Sequence, residues 1–201
     1  MDAPLQGIRV VEMTVWQQGP EAGAMLADMG AEVIKVERPL TGDPGRWVLQ
    51  LSEALMSGVE SGINYYFESH NRNKKGVAVD ASKDKGREVV CRLVQKSDVF
   101  LTNFIPQSLE KLGLDYDSLA QINPRLIYAI GSSYGIKGPA RNREGMDISG
   151  QARSGIMTLI GAEPGQAPRS AGLGTADQIG AFTLAYGVMA ALFARERTGL
   201  G

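Results

Sequence analysis

Ile8-Arg9-Val10-Val11-Glu12-Met13, then Gly19-Pro20 opening a run to Met29, then Gly30 and Val33-Ile34-Lys35-Val36: the reading of this stretch decides the fold. Ile8–Met13 has the short apolar run of a strand. Ala22, Met25, Leu26 and Met29 recur at helical spacing and share one face. Pro20 is well placed in a first helical turn, and Gly30 ends the helix. Val33–Val36 is a second strand. A short helix between two strands implies a right-handed crossover and a parallel pair.

Outward from this unit the alternation continues. Gly76–Asp80 is a third strand, closed by Asp80, and Ser82 caps a helix through Gln95. Asp98–Leu101 is a fourth strand, with Asn103-Phe104 at its end. Pro106–Leu112 and Tyr116–Ile122 read as short helices, the second ended before Asn123-Pro124. Leu126–Ile130 is a fifth strand, followed by the turn Gly131–Ser133. Trp47 to Tyr66 is a partly helical excursion. Asp147–Leu159 is a helix interrupted by Gly150 and Gly155, Gly161–Ala171 is a loop, and a long helix runs from Asp177 to near Arg197. The pattern predicts one α/β lobe over residues 1–201, Rossmann-like, with a mostly parallel sheet flanked by helices. Ligands of such sheets bind beyond the C-terminal strand ends. Here those ends supply Thr14–Gln18, Glu37-Arg38, Asp80–Ser82, Thr102–Phe104 and Gly131–Ser133.

Composition narrows the chemistry. A net charge of −1 offers no electrostatic pull toward nucleic acid or anionic membranes. Cys91 is the only cysteine, which excludes an internal disulfide and a Cys-rich metal site. It falls among Val89, Val90, Leu93 and Val94 and reads as a small buried residue. The N-terminus has no basic region followed by an apolar run, so no signal peptide is expected and the location is read as cytoplasmic. Gln178–Ala194 is apolar but shorter than the about 20 residues of a spanning helix. It is read as a buried core helix.

No Gly-x-Gly-x-x-Gly follows the first strand; Thr14-Val15-Trp16-Gln17-Gln18-Gly19-Pro20 stands there, so a standard nicotinamide site is not expected. His70 is the only histidine. It lies in a polar segment without a nucleophile elbow and reads as a surface or hydrogen-bonding residue. The run Arg72–Lys75 reads as a solvated face, although it precedes a strand and could lie near a phosphate-bearing ligand. Carboxylates therefore remain as nucleophiles. Asp177 is the only charged residue between Ser170 and Ala194, preceded by Gly172 and Gly174 and followed by an apolar helix. Local sequence leaves two roles open: a helix cap, or a nucleophile held close to an activated acyl group. Asp147, in Gly145-Met146-Asp147-Ile148, is a second candidate, read as a cap or a support of the pocket.

These motifs, in this order, resemble the N-terminal part of family III CoA-transferases. The match runs from Leu5-Gln6-Gly7-Ile8-Arg9-Val10 through Gly19-Pro20, Gly30-Ala31-Glu32-Val33-Ile34-Lys35-Val36-Glu37 and Asn71-Arg72-Asn73-Lys74-Lys75. It continues through Asp98, Asn103-Phe104, Leu112-Gly113-Leu114, Asn123-Pro124-Arg125-Leu126-Ile127-Tyr128, Gly145-Met146-Asp147 and Asp177 to Arg197-Thr198-Gly199. The resemblance implies an enzyme that moves CoA from an acyl-CoA donor to a carboxylic acid, with Asp177 as the nucleophile. It implies no metal or redox cofactor, with coenzyme A as substrate, and an interlocked homodimer. Family members are longer, and a second domain and a closing segment are expected outside this lobe.

Carried over residue by residue, Gln17 and Gln18 would line the thioester and pantetheine end, and Arg38 would contact a CoA phosphate or the adenine. Val79, Asp80, Ala81 and Ser82, with Asn103, Phe104 and Ile105, would cradle the nucleotide. Lys111 takes a position often held by Arg. Arg143 could reach a phosphate, and Asp147 resembles the acidic residue close to the nucleophile. Trp16, Trp47 and Tyr66 could shape an acyl pocket or belong to the core. The related racemases need a histidine where Met146 stands, which disfavours that alternative. An inactive CoA-binding or assembly lobe is the other alternative.

Overall fold

Every pairing in the sheet is parallel. The computed structural model describes residues 3–48, 64–160, 163 and 165–201. Strands β1 (Arg9–Met13), β2 (Glu32–Glu37), β3 (Lys75–Ala78), β4 (Val99–Thr102) and β5 (Ile127–Ile130) lie in the order β3-β2-β1-β4-β5. Glu12 faces Lys35 across β1 and β2, and Val11 faces Phe100 across β1 and β4. The order reverses between β1 and β4, the switch point beside which open parallel sheets bind their ligands.

The helices are α1 (Gln18–Asp28), α2 (Tyr65–Asn71), α3 (Asp84–Gln95), α4 (Pro106–Leu112), α5 (Tyr116–Ile122), α6 (Asp147–Ser154), α7 (Ile156–Leu159) and α8 (Thr175–Thr198), with a 3-10 turn at Pro44–Trp47. Alternation along the strands builds two cores. On one face, Val10, Val33, Leu101 and Ala129 pack with Ala22 and Leu26 of α1 and Ala181, Ala185, Val188 and Leu192 of α8. On the other, Val11, Val36 and Phe100 pack with Val90 and Val94 of α3, Leu109 of α4 and Leu119 of α5.

Several local expectations are corrected. Ser82 does not cap α3: Lys83 is the cap residue, and Ser82 turns back to bond Asp80. Gly150 does not interrupt α6; the break is at Gly155, whose φ of +80° is left-handed. The run Arg72–Lys75 is a solvated face only in part: the Lys75 side chain is 73% exposed. Arg72 pairs with Asp28 and Glu21, and the Lys74 side chain is 2% exposed. His70 is buried, with its ring on the Tyr66 carbonyl. The excursion after Trp47 lies outside the described residues until Asn64, as do residues 161, 162 and 164 of the loop before α8.

The long helix α8 is a core helix on one face only. Ala181, Ala185, Val188, Leu192 and Arg195 are buried, whereas Ile179, Phe182, Tyr186 and Phe193 are exposed. By length and composition alone α8 could cross a bilayer. Its C-terminal end is pinned to the lobe, because Arg195 reaches Asp98 at 2.8 Å and the Arg125 carbonyl at 3.1 Å.

One buried charge cluster joins these layers. Lys35 lies between Glu12 (3.0 Å) and Asp43 (2.9 Å), and Lys74 contacts Glu12 at 2.8 Å. Lys74 also donates to the carbonyls of Pro20 and His70 and to Asn71. Burial opposes the Lys35 charge, but Glu12 and Asp43 outweigh it and hold the ammonium above its ordinary range. Burial pushes Lys74 down to about 8, with Glu12 opposing and Lys35 adding to the effect. Gly23 of α1 is the clearance for this cluster: a Cβ there would collide with the Glu12 carboxylate. Lys35→Met strips both carboxylates of a partner and should cost about 3–5 kcal/mol. Gly23→Ala should cost about 1–3 kcal/mol by overpacking. Urea denaturation midpoints of the two variants check both values.

Candidate active site

The loop after β1 is the first wall of the site. Thr14 donates its hydroxyl to Glu12 (2.7 Å), and its carbonyl accepts from Lys35 (3.1 Å). Asn103, leaving β4, accepts the Val15 N–H (3.0 Å) and donates to the Val15 carbonyl (2.7 Å). The Trp16 N–H donates to Asp43 (3.0 Å). Trp16 itself sits at φ +66°, a region that non-glycine residues occupy at a cost. Three anchors thus hold the loop that delivers Gln17 and Gln18.

Both glutamine amides lie in slots left by glycines. Gln17 fills the space that a Cβ on Gly174 would take. Gln18 lies between Gly131 and Gly180, with its Oε1 2.7 Å and its Nε2 2.8 Å from where their Cβ atoms would stand. Through these contacts the start of α1 meets the start of α8. Gln18, Gly131, Gly180, Thr183 and Leu184 line a cavity of about 570 Å³ between β5 and α8.

The second wall is the entry to α8. Its cap residue is Gly174 at φ +79°, and Asp177 is the third helical residue. Asp177 is therefore not the cap. The capping acceptor comes from α6. Asp147 Oδ1 accepts the N–H groups of Ala176 (2.7 Å) and Asp177 (3.2 Å), and Oδ2 accepts that of Gly174 (3.0 Å). Gln151, one turn on in α6 and 1% exposed, donates to Asp147 Oδ2 (2.6 Å) and the Gly172 carbonyl (2.7 Å). Its Oε1 accepts from Ala171 N–H (2.9 Å) and the Ser170 hydroxyl (3.0 Å). Asp147 and Gln151 together clamp residues 170–177.

The Asp177 carboxylate accepts no hydrogen bond among the described residues. It is half-buried, and burial, reinforced by the Asp147 charge, pushes it up to about 6. Tyr66 of α2 feels the same region: burial first, then the charges of Asp177 and Asp43, push its phenol up to about 12. Gly172 and Gly174 flank Leu173, which is fully exposed. The arrangement presents a half-buried carboxylate of raised basicity without a hydrogen-bond donor among the described residues.

The other candidates spread along the rim. Arg38 is exposed; Ser82, first through its hydroxyl and then its N–H, holds the Asp80 carboxyl below the usual range, with Lys83 and Arg38 adding to it. Val79 continues the β2 pairing through the Glu37 carbonyl, and Ala81 is buried in the core. Phe104 packs on that core, and Ile105 precedes α4 as its cap residue. Lys111 ends α4, and Arg143 is exposed on a loop that Asn142 and Arg141 tie to α4 through Gln107 and Glu110. The strand ends bring Gln17, Asn103, Asp80 and Arg38 to one edge of the sheet. Among the described residues, no hydrogen bond or ion pair joins Arg38, Lys111 or Arg143 to Asp177. Gln151 and Asp43 went unnoticed in the sequence. Gln151 carried one signal, its i,i+4 spacing from Asp147 on a helix; Asp43, in a loop, carried none.

The family model for CoA-transferase family III matches residues 5–201. The succinate–glutarate CoA-transferase of Agrobacterium fabrum is 40% identical over 199 residues, covering 98% of this chain and 49% of that protein. The acetyl-CoA:oxalate CoA-transferase of Acetobacter aceti is 36% identical over 198 residues, covering 98% of this chain and 49% of that protein. The crystal structure of a CAIB/BAIF family protein from Brucella suis matches with a TM-score of 0.87 at 38% identity, over 100% of this chain and 52% of that one. The chain spans about half the length of the curated relatives it matches.

Gln151→Leu removes four hydrogen bonds from a buried position, leaves the Ala171 N–H without its acceptor and takes a donor from Asp147 and from the Gly172 carbonyl. It should lower stability by about 1–3 kcal/mol or more and speed amide exchange at Ala171 and Ala176, read by denaturation and hydrogen exchange.

Proposed function

The chain belongs to CoA-transferase family III, and from that premise we propose that it carries the nucleophile of an enzyme that transfers CoA from an acyl-CoA to a free carboxylic acid. The carrying observation is the Asp177 carboxylate, without a protein donor among the described residues and of raised basicity, at the glycine-flanked mouth of α8. A thioester already activates its acyl group, so the steps exchange carboxylates and thiolates and require no metal or redox cofactor.

An Asp177 oxygen attacks the donor thioester carbonyl, and the C–S bond breaks to release CoA thiolate. The product is an anhydride between Asp177 and the donor acid. The thiolate attacks the Asp177 carbonyl, expels the donor carboxylate and leaves an aspartyl-CoA thioester. The acceptor carboxylate then attacks that carbonyl and expels the thiolate, giving a second anhydride. Attack of the thiolate on the acceptor carbonyl yields the new acyl-CoA and restores the Asp177 carboxylate. No net proton is taken up. Gln17, wedged beside Gly174, would donate its amide to the thioester oxygen as charge develops there. Arg38, Asp80, Ser82 and the Asn103–Ile105 segment supply the nucleotide end, with Lys111 and Arg143 as cations for its phosphates.

The relatives named above carry succinate, glutarate and oxalate in their names; for this chain we propose only the class, a carboxylic acid. We also propose a cytoplasmic homodimer. The exposed stripe Ile179, Phe182, Tyr186 and Phe193 on α8 supports association. Racemase chemistry is disfavoured by Met146, which is exposed at the start of α6 and supplies no base.

Incubation with an acyl-CoA and hydroxylamine should convert Asp177 to its hydroxamate, read by peptide mass spectrometry. Asp177→Asn should lose both trapping and CoA exchange by at least about 1,000-fold, the scale for a removed nucleophile. Full exchange in that variant overturns the mechanism, and CoA binding without exchange in the wild-type chain marks a binding lobe. Because the nucleophile must be ionised, the trapping rate should fall as pH drops through about 6.

A further inference from the structure

A helix start offers unpaired N–H groups and the positive end of a dipole, and a carboxylate in its first turn is well placed to draw on them. In α8 a different residue has taken them. Asp147, on α6, accepts from Gly174, Ala176 and Asp177 at 2.7–3.2 Å. Gln151 holds Asp147 in that position at 2.6 Å. A carboxylate that accepts several N–H bonds is stabilised as the anion, and its lone pairs are engaged. Such a group is a poor nucleophile.

We propose that Asp147 is a positioning residue that withholds the α8 N–H groups from Asp177, so that both oxygens of the free carboxylate are left available for attack on the acyl group. This rests on Asp177 being the nucleophile. The arrangement has a second use. Asp177 loses its charge whenever it becomes an anhydride or a thioester. If Asp177 itself supplied the cap, every acylation would uncap α8 and move the nucleophile. With Asp147 as the cap, the start of α8 is held alike in the free, anhydride and thioester states. Among the described residues, the charge that acts on Asp177 is that of Asp147 from α6. Tyr66 of α2 feels the charges of both Asp177 and Asp43, and Asp43 is paired with Lys35.

The test is carboxyl carbon NMR on the full 201-residue chain with labelled aspartate, the Asp177 signal being assigned through Asp177→Asn. In Asp147→Asn an oxygen acceptor remains but the charge is gone, and the Asp177 midpoint should fall by up to about one pH unit, the burial share of the shift remaining. Asp147→Glu, which keeps the charge, should restore most of the shift. An Asp177 midpoint that does not move in Asp147→Asn overturns the proposal. The wild-type chain gives a second reading that needs no variant to fold. The amide signals of Gly174, Ala176 and Asp177 should follow the Asp147 carboxyl across a pH titration; amides that follow Asp177 instead overturn the proposal. Acyl trapping on Asp177 reads the nucleophile separately from these shifts, so failure of the one is told apart from failure of the other.

Discussion

The lobe depends on Lys35, a lysine sealed beneath α1 between two carboxylates. Ions in an interior are tolerated only when paired and hydrogen-bonded, and here the pairing recruits every layer. Glu12 comes from β1, Lys35 from β2, Asp43 from the turn after β2, and Lys74 from the entry to β3. Lys74 adds carbonyls of α1 and α2. An apolar core of this volume would hold the same elements together but would not dictate where the loop after β1 goes. The Lys35 ammonium takes the Thr14 carbonyl, and Asp43 takes the Trp16 N–H. The directionality of these bonds makes the cluster a template for the loop that carries Gln17 and Gln18.

From that loop the constraint passes to α8 through steric fit rather than charge. Gln17 and Gln18 occupy volumes that exist because Gly174, Gly131 and Gly180 have no side chain. Two elements far apart in sequence are thereby locked in register at the point where Asp177 emerges. The clamp from α6 completes the arrangement on the other side. Among the described residues, the groups around Asp177 satisfy one another and none donates to its carboxylate, the condition a carboxylate nucleophile requires.

Much of this was legible in the residues. The strand–helix alternation placed all five strands, and Pro106–Leu112 and Tyr116–Ile122 match the observed helices because Pro and Asp signals bound them. Ser82 and Gly150 were misread because local propensity was taken for geometry. Asp80 captured the serine, and Gly150 serves as clearance for Ala176 inside a continuous helix. Arg72–Lys75 looked solvated because a basic run says nothing of the acids that meet it; Glu12 is 62 residues away from Lys74. Asp177 was found because it stands alone in an apolar stretch. Its relation to Asp147, thirty residues earlier, was not, because a cap supplied from another helix leaves no mark in local spacing.

The sequence by itself determined a parallel α/β lobe, the family it resembles and the carboxylate on which the proposed chemistry turns. Periodicity, glycine punctuation and isolated charge are properties of neighbours along the chain, and they can be read there. Only the tertiary structure decided which donors each carboxylate receives. Asp147, although at the first position of its own helix, caps α8, and the Asp177 carboxylate, at the start of that helix, accepts no hydrogen bond among the described residues. Hydrogen bonds are short-ranged and directional, so who satisfies whom is settled by packing.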